Sequence, residues 1–105
     1  MTRVTFRVSG VATHVEAVRA KLPMSRVEKG CVLLESPLAQ DQPLNEHLVW
    51  LWGMLKHERR YLKSLVAGGA KLSCECQVPK GSIRLLPNGA EMLHLLGTEL
   101  VLEAK

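Results

Sequence analysis

At 105 residues the chain is long enough to bury one hydrophobic core, and we expect residues 1–105 to form a single domain. Hydrophobic residues make up 47% of the chain and charged residues 23%, a balance that is typical of globular proteins and excludes an extended, low-complexity polymer. The formal net charge of +4 brings nucleic acid into consideration as a partner.

The first third of the chain predicts a strand, a short helix and a second strand. Residues 3–9 alternate between apolar and polar side chains, which indicates a strand with one buried face. Thr13 and Glu16 have the spacing of a capping box, so we expect a helix to begin there and to end before Pro23. A second strand is predicted at Cys31–Glu35, in which Val32, Leu33 and Leu34 are consecutive apolar residues, a pattern typical of a strand that is central or covered on both sides.

A long amphipathic helix is predicted between Pro43 and Gly69. Glu58 falls within its apolar arc, where a buried and unpaired carboxylate is costly. We therefore expect either a bend near residues 57–60, which gives two shorter helices, or a base that pairs with Glu58. Six apolar residues at helical spacings define the face that is turned to the core: Leu44, Leu48, Leu51, Leu55, Leu62 and Val66.

The segment after the long helix predicts a β-hairpin. Residues 72–78 alternate between apolar and polar side chains, and Pro79–Gly81 has the composition of a tight turn. Ile83–Leu86 is then expected to return as the second strand.

A helix and a closing strand complete the chain. Asn88 and Glu91 repeat the capping spacing at the start of the helix, and Gly97 is expected to end it. Residues 99–103 alternate again, as a last strand does. The predicted order is therefore β-α-β-α-β-β-α-β. We predict an α+β fold, a two-layer sandwich with a mainly antiparallel sheet that is ferredoxin-like in its general form, and the order of strands in the sheet stays open.

Trp50, Met54 and Tyr61 widen the apolar arc of the long helix beyond the stripe that faces the core. Three explanations are open: burial under a neighbouring segment, the seam of a homodimer, or a surface that binds a different protein. These three side chains are the candidate interaction residues.

Lys56, Arg59, Arg60 and Lys63 form a basic face on the same helix, with spacings of three, four and seven residues. No aromatic residue is interleaved on this face as a stacking platform, and no RNA-binding motif accompanies it. We therefore interpret this candidate basic face as a solvated helix surface and do not favour a nucleic-acid partner.

Cys74 and Cys76 come nearest to a metal-ligand pair, and Cys31 is the third cysteine. Their spacing differs from that of a zinc knuckle, so we expect core packing, with no bound metal and no cofactor. An odd number of cysteines fits a reducing compartment. The N-terminal residues lack the apolar run of a signal peptide, and no apolar stretch could span a bilayer. We expect a cytoplasmic protein with no membrane partner.

The residues of common catalytic centres do not come together in this sequence. Four histidines fall on predicted helices without forming a zinc motif: His14, His47, His57 and His94. No serine lies in a nucleophile elbow, and Asp41 is the only aspartate. We therefore predict no enzyme and no catalytic residues.

Several short motifs resemble a bacterial family that is catalogued as a domain of unknown function, DUF family four-two-seven-nine. They are the opening FRVSG, the short helix through KLP, the Lys29-Gly30 pair, the helix start LNEHL and the closing segment EMLHLLGTELVLE. The family usually carries a tryptophan in the strand after the Lys-Gly pair, where this chain has none. The resemblance implies a compact, non-enzymatic α+β domain and supplies no site residues.

The leading hypothesis is a protein-binding module without catalytic activity, for which an immunity protein that neutralises a toxin is one analogous form. The alternative is a regulatory domain that binds a small molecule between the sheet and the helices. A weaker alternative is a nucleic-acid accessory protein that uses the Lys56–Lys63 face.

Overall fold

The computed structural model describes residues 1–104 and has five strands and four α-helices. The strands are β1 (Arg3–Ser9), β2 (Arg26–Glu28), β3 (Cys31–Glu35), β4 (Lys71–Val78) and β5 (Glu99–Ala104). The helices are α1 (Val15–Lys21), α2 (Leu44–Leu55), α3 (Arg59–Ala67) and α4 (Pro87–Leu96), with a 3-10 turn over Lys56–Glu58 between α2 and α3. The predicted α+β class is confirmed.

The five strands form one sheet in the order β2-β3-β1-β4-β5. β1 lies at its centre and pairs antiparallel with both β3 and β4, and β2 pairs antiparallel with β3. β5 pairs parallel to β4, because helix α4 carries the chain back to the end of the sheet where β4 began. The sheet is thus mainly antiparallel, as predicted.

The core lies between one face of this sheet and the helices. Val4, Phe6 and Val8 of β1 are fully buried there, as their alternation with polar residues predicts. The helices supply five of the six predicted stripe residues, all buried: Leu44, Leu48, Leu51, Leu55 and Leu62. Val66, the sixth, is 41% exposed, so its assignment to the core is wrong. The other face of the sheet is polar and carries the ion pair between Arg3 and Glu35, at 3.3 Å.

Of the two alternatives left open for Glu58, the structure shows the break, at the 3-10 turn. Glu58 closes this turn with φ −108°, outside the helical range, and its side chain is only half-buried. The carboxylate is therefore not fully buried, as it would be within the apolar arc of a continuous helix.

The predicted strand at Ile83–Leu86 is wrong, because these residues have no strand structure. Both edges of β4 are already occupied, by β1 and by β5, so a hairpin partner has nowhere to pair. The backbone N–H of Leu86 instead donates to Asn45 Oδ1 at 2.9 Å. The short strand β2 was not predicted, and it pairs with β3 across the Lys29-Gly30 turn.

Both predicted capping boxes are wrong. Helix α1 begins at Val15 without a side-chain cap, and Thr13 Oγ1 lies 3.1 Å from His14 Nδ1. Helix α4 begins at Pro87, so Asn88 lies inside its first turn, and Asn88 Oδ1 accepts a hydrogen bond from Asn45 Nδ2 at 3.0 Å. Gly97 does end α4, in the left-handed conformation with φ 70°.

No helix within residues 1–104 combines the length and the apolar character that crossing a membrane requires.

Candidate interaction surfaces

Strand β5 lies at an edge of the sheet, and β4 is its only strand partner among the described residues. Val101 stands opposite Glu75 and therefore on the polar face, whereas Leu102 stands opposite Cys76 on the face that the helices cover. Their side chains are 42% and 45% exposed. This edge therefore combines an outer backbone without a strand partner with apolar side chains on both faces.

The opposite edge of the sheet is built differently. Strand β2 has only three residues, and Arg26 pairs there with Glu28 at 3.3 Å and with Glu35 at 3.7 Å. A short, charged strand is a common protection against edge-to-edge pairing. Only β5 offers an edge of six residues with an apolar centre.

Trp50, Met54 and Tyr61 are half-buried and pack against the core. The Lys21 ammonium of α1 lies 5.6 Å from the centre of the Tyr61 ring, which places this side of α3 next to α1. Part of their apolar surface is thus covered by the chain itself. Their role as interaction anchors stays a prediction.

The four residues of the candidate basic face lie together in the structure. Lys56 belongs to the 3-10 turn, and Arg59, Arg60 and Lys63 belong to α3. With His57 they line one hollow at the break between α2 and α3, and no carboxylate is among its lining residues. The sequence predicted the face but not the hollow. We call this site the basic hollow.

Cys74 and Cys76 are buried in the core, and neither they nor Cys31 forms a disulfide. Burial raises the pKa of Cys74 far above its ordinary range and raises the pKa of Cys76 to about 12. Both thiols are therefore protonated at neutral pH and poorly suited to nucleophilic or metal-binding work. No group of three or more possible metal ligands occurs in the described part of the chain.

The structure brings Ser36 and His47 into a contact that the sequence did not indicate. His47 is 1% exposed, and its Nδ1 lies 2.8 Å from Ser36 Oγ. Its Nε2 is buried and has no partner of hydrogen-bond geometry within residues 1–104. Burial lowers the pKa of this imidazole, although the backbone carbonyls of Ala39 and Gln42 act in the opposite direction. Both side chains lie in the core, so the contact holds the loop after β3 against α2.

A further concavity lies at the end of the sheet where β1 begins. The residues that line it come from the start of the chain, from residues 40–44 and from residues 78–84. It does not lie between the sheet and the helices, where the small-molecule alternative would place a ligand. That alternative stays a prediction.

The chain matches no protein-family model, no curated protein and no solved structure. The resemblance to DUF family four-two-seven-nine therefore stays a prediction, and the surfaces described above are the basis for a functional proposal.

Proposed function

We propose that the protein is a non-catalytic interaction module that binds an extended segment of another protein along β5. The observation that carries this proposal is the open edge of Glu99–Ala104, with Val101 and Leu102 both more than 40% exposed at its centre. Native proteins usually protect such an edge with charge, proline or a covering segment.

An extended segment can add to this edge as a sixth strand. Backbone hydrogen bonds to the outer N–H and C=O groups of β5 would supply affinity, and alternate side chains would supply specificity. An apolar side chain of the bound segment would pack against Val101 on the polar face of the sheet. Another would pack against Leu102 at the border of the core. The partner segment is therefore expected to be apolar at consecutive positions.

A foreign segment fits this edge better than a second copy. Two copies of β5 can pair about a two-fold axis only in an antiparallel arrangement. An axis at Val101 sets Glu99 opposite Glu103 of the other copy, which is a repulsive pair. An axis at Leu102 sets Glu103 opposite Val101, which places a carboxylate against an apolar neighbour. A homodimer through β5 is therefore the less favourable use of the edge.

We place this module in the cytoplasm, because its three cysteines are free and reducing conditions keep thiols in that state. An immunity protein that covers part of a toxin is one form that such a module can take, by analogy with other small α+β domains. A toxin gene beside the gene for this chain would support that form.

Selection of random peptides displayed on phage against the immobilised protein tests the proposal. Enriched peptides are then measured against Val101→Lys and against Val27→Lys, which makes the same change at the protected edge β2. We expect Val101→Lys to lose at least about tenfold in affinity, a loss of about 1.4 kcal/mol, and Val27→Lys to bind like the wild type. Unchanged thermal unfolding of both variants confirms that they are folded. The proposal is wrong if no peptide is enriched, or if enriched peptides bind both variants equally.

A further inference from the structure

The basic hollow carries as many Lys and Arg residues as the formal net charge of the chain. The chain has 14 Lys and Arg residues against 10 Asp and Glu residues, a formal net charge of +4. Lys56, Arg59, Arg60 and Lys63 line the hollow, and without these four the basic and acidic residues are equal in number. The hollow therefore holds four of the 14 basic residues of the chain on one short segment.

Four of the five arginines outside the hollow are used differently. Arg3, Arg7, Arg19 and Arg26 each form an ion pair with a glutamate, at 2.9–3.3 Å. Within residues 1–104, none of the four cations of the hollow forms an ion pair or a hydrogen bond. Like charges three and four residues apart on a helix destabilise it. The cluster therefore costs stability that no internal partner restores.

The basic hollow lies at the break between α2 and α3. Lys56 and His57 of the 3-10 turn and three cations of α3 line it. Convergent cations in a concavity strengthen the local positive potential, which favours an anionic ligand over simple solvation.

The lining determines the class of anion. It contains no tryptophan, tyrosine, phenylalanine or aliphatic side chain, so it has no large apolar platform for bases and nothing to bury an acyl chain; His57 supplies its only ring. The segment from Lys56 to Lys63 covers roughly 10 Å of helix, so its four cations lie close enough together to contact neighbouring phosphates of one strand. A hollow also fits a narrow strand better than the flat surface of a bilayer. We infer that the basic hollow binds the sugar–phosphate backbone of single-stranded nucleic acid without reading its sequence.

This inference goes beyond the proposed function, because it uses a surface that shares no residue with β5. Binding of fluorescent oligothymidylate, followed by anisotropy at increasing salt, tests it directly. Up to four phosphate contacts predict a slope of about −3 in log K against log salt, from about −0.7 per contact on a single strand. Oligoadenylate of the same length is expected to bind with an affinity within about threefold, since phosphate contacts carry no sequence information.

Paired variants separate the hollow from general charge. Arg59→Gln with Arg60→Gln is expected to weaken binding at least about tenfold and to reduce the slope by about 1.4. Lys80→Gln with Arg84→Gln removes the same charge at exposed positions outside the hollow and is expected to change affinity less than about twofold. Equal weakening by both pairs, or no salt-dependent binding by the wild type, would overturn the inference. If the first pair unfolds the protein, Lys56→Gln with Lys63→Gln replaces it.

Two further probes identify the source of the phosphate. The first probe is inorganic tripolyphosphate, which competes with the fluorescent oligonucleotide. If it displaces the oligonucleotide more effectively per phosphate than unlabelled oligothymidylate does, the hollow is a site for a small anion and the inference is overturned. The second probe is a vesicle of phosphatidylserine and phosphatidylcholine. If the vesicles retain the wild-type protein while the oligonucleotide does not bind, the hollow contacts a membrane surface instead and the inference is overturned.

Discussion

His47 lies in the first turns of α2, and its imidazole is buried in the core. Its Nδ1 contacts Ser36 Oγ, and Ser36 Oγ also accepts a hydrogen bond from the backbone N–H of Leu38 at 3.4 Å. The pair thus ties the loop after β3 to the first turns of α2. Burial lowers the pKa of His47, so protonation of its ring opposes this arrangement.

Acid is therefore expected to destabilise the protein through His47. The folded-state pKa lies below the unfolded value of about 6.5, so the unfolded state takes up the proton first. The contribution of the neutral ring is complete above that value and falls as the pH drops through the folded-state pKa. Between about pH 7.5 and about pH 5, we expect the free energy of unfolding to fall more in the wild type than in His47→Gln, which has no proton to bind.

Chemical denaturation at the two pH values measures this difference. His94→Gln, a change at an exposed position of α4, serves as the control and is expected to behave like the wild type. If His47→Gln loses as much stability as the wild type over the same range, the buried imidazole is not the cause of the acid sensitivity.

Helices and strands could be predicted from the sequence where the spacing of apolar residues corresponds to one buried face of the element. The alternation in β1 and β4 and the leucine stripe of α2 are examples, because their burial follows directly from the periodicity of each element. Glu58 likewise indicated a conflict in a continuous helix, although the sequence left open whether a break or a pairing base resolves it. These inferences need no knowledge of distant residues.

The errors arise where distant residues decide the outcome. Ile83–Leu86 has the composition of a strand, but β5 occupies the edge of β4 that it would need. Asn88 has the composition of a cap, but Asn45 takes its side chain as a partner between α2 and α4. The candidate surfaces follow the same rule. The exposure of β5 depends on the strand order, and the sequence showed the basic face but not the hollow that its side chains line.

Gly89 of α4 lies against Asn45 of α2, so a substitution at Gly89 tests the packing between these two helices. A Cβ atom on Gly89 would overlap Asn45 Oδ1. Asn45 cannot simply rotate away, because it holds both the Leu86 N–H and the Asn88 side chain. Gly89→Ala is therefore expected to lower the free energy of unfolding by about 2 kcal/mol, the cost of disturbing a buried polar contact.

Gly53→Ala is the matched control, because Gly53 is also helical and a Cβ there meets no atom within 4 Å. Alanine is the better helix former by about 0.8–1 kcal/mol, so this change is expected to stabilise the protein. Urea denaturation of both variants compares the two effects. Stabilisation by both changes would show that helix propensity, rather than the Asn45 contact, determines the result at Gly89.

Two surfaces of the folded protein favour binding to a partner, for different physical reasons. Strand β5 has an edge without a strand partner among the described residues, and its exposed apolar side chains favour pairing with another chain. The basic hollow has cations without counter-charges, and it favours an anion. Neither surface is needed to complete the core, so each can be changed without loss of the fold.

Salt is expected to stabilise the free protein, because screening weakens repulsion within the basic hollow more than it weakens the scattered ion pairs. We therefore predict that the melting temperature rises between about 20 mM and about 300 mM sodium chloride. Lys56→Gln with Lys63→Gln removes part of the repulsion, so it is expected to raise the melting temperature at low salt and to flatten its salt dependence. Arg3→Gln breaks the ion pair with Glu35 instead and is expected to lower the melting temperature at low salt.

If the double variant melts no higher than the wild type at low salt, the four cations do not repel one another measurably. The hollow would then be an ordinary solvated surface, as the sequence alone predicts.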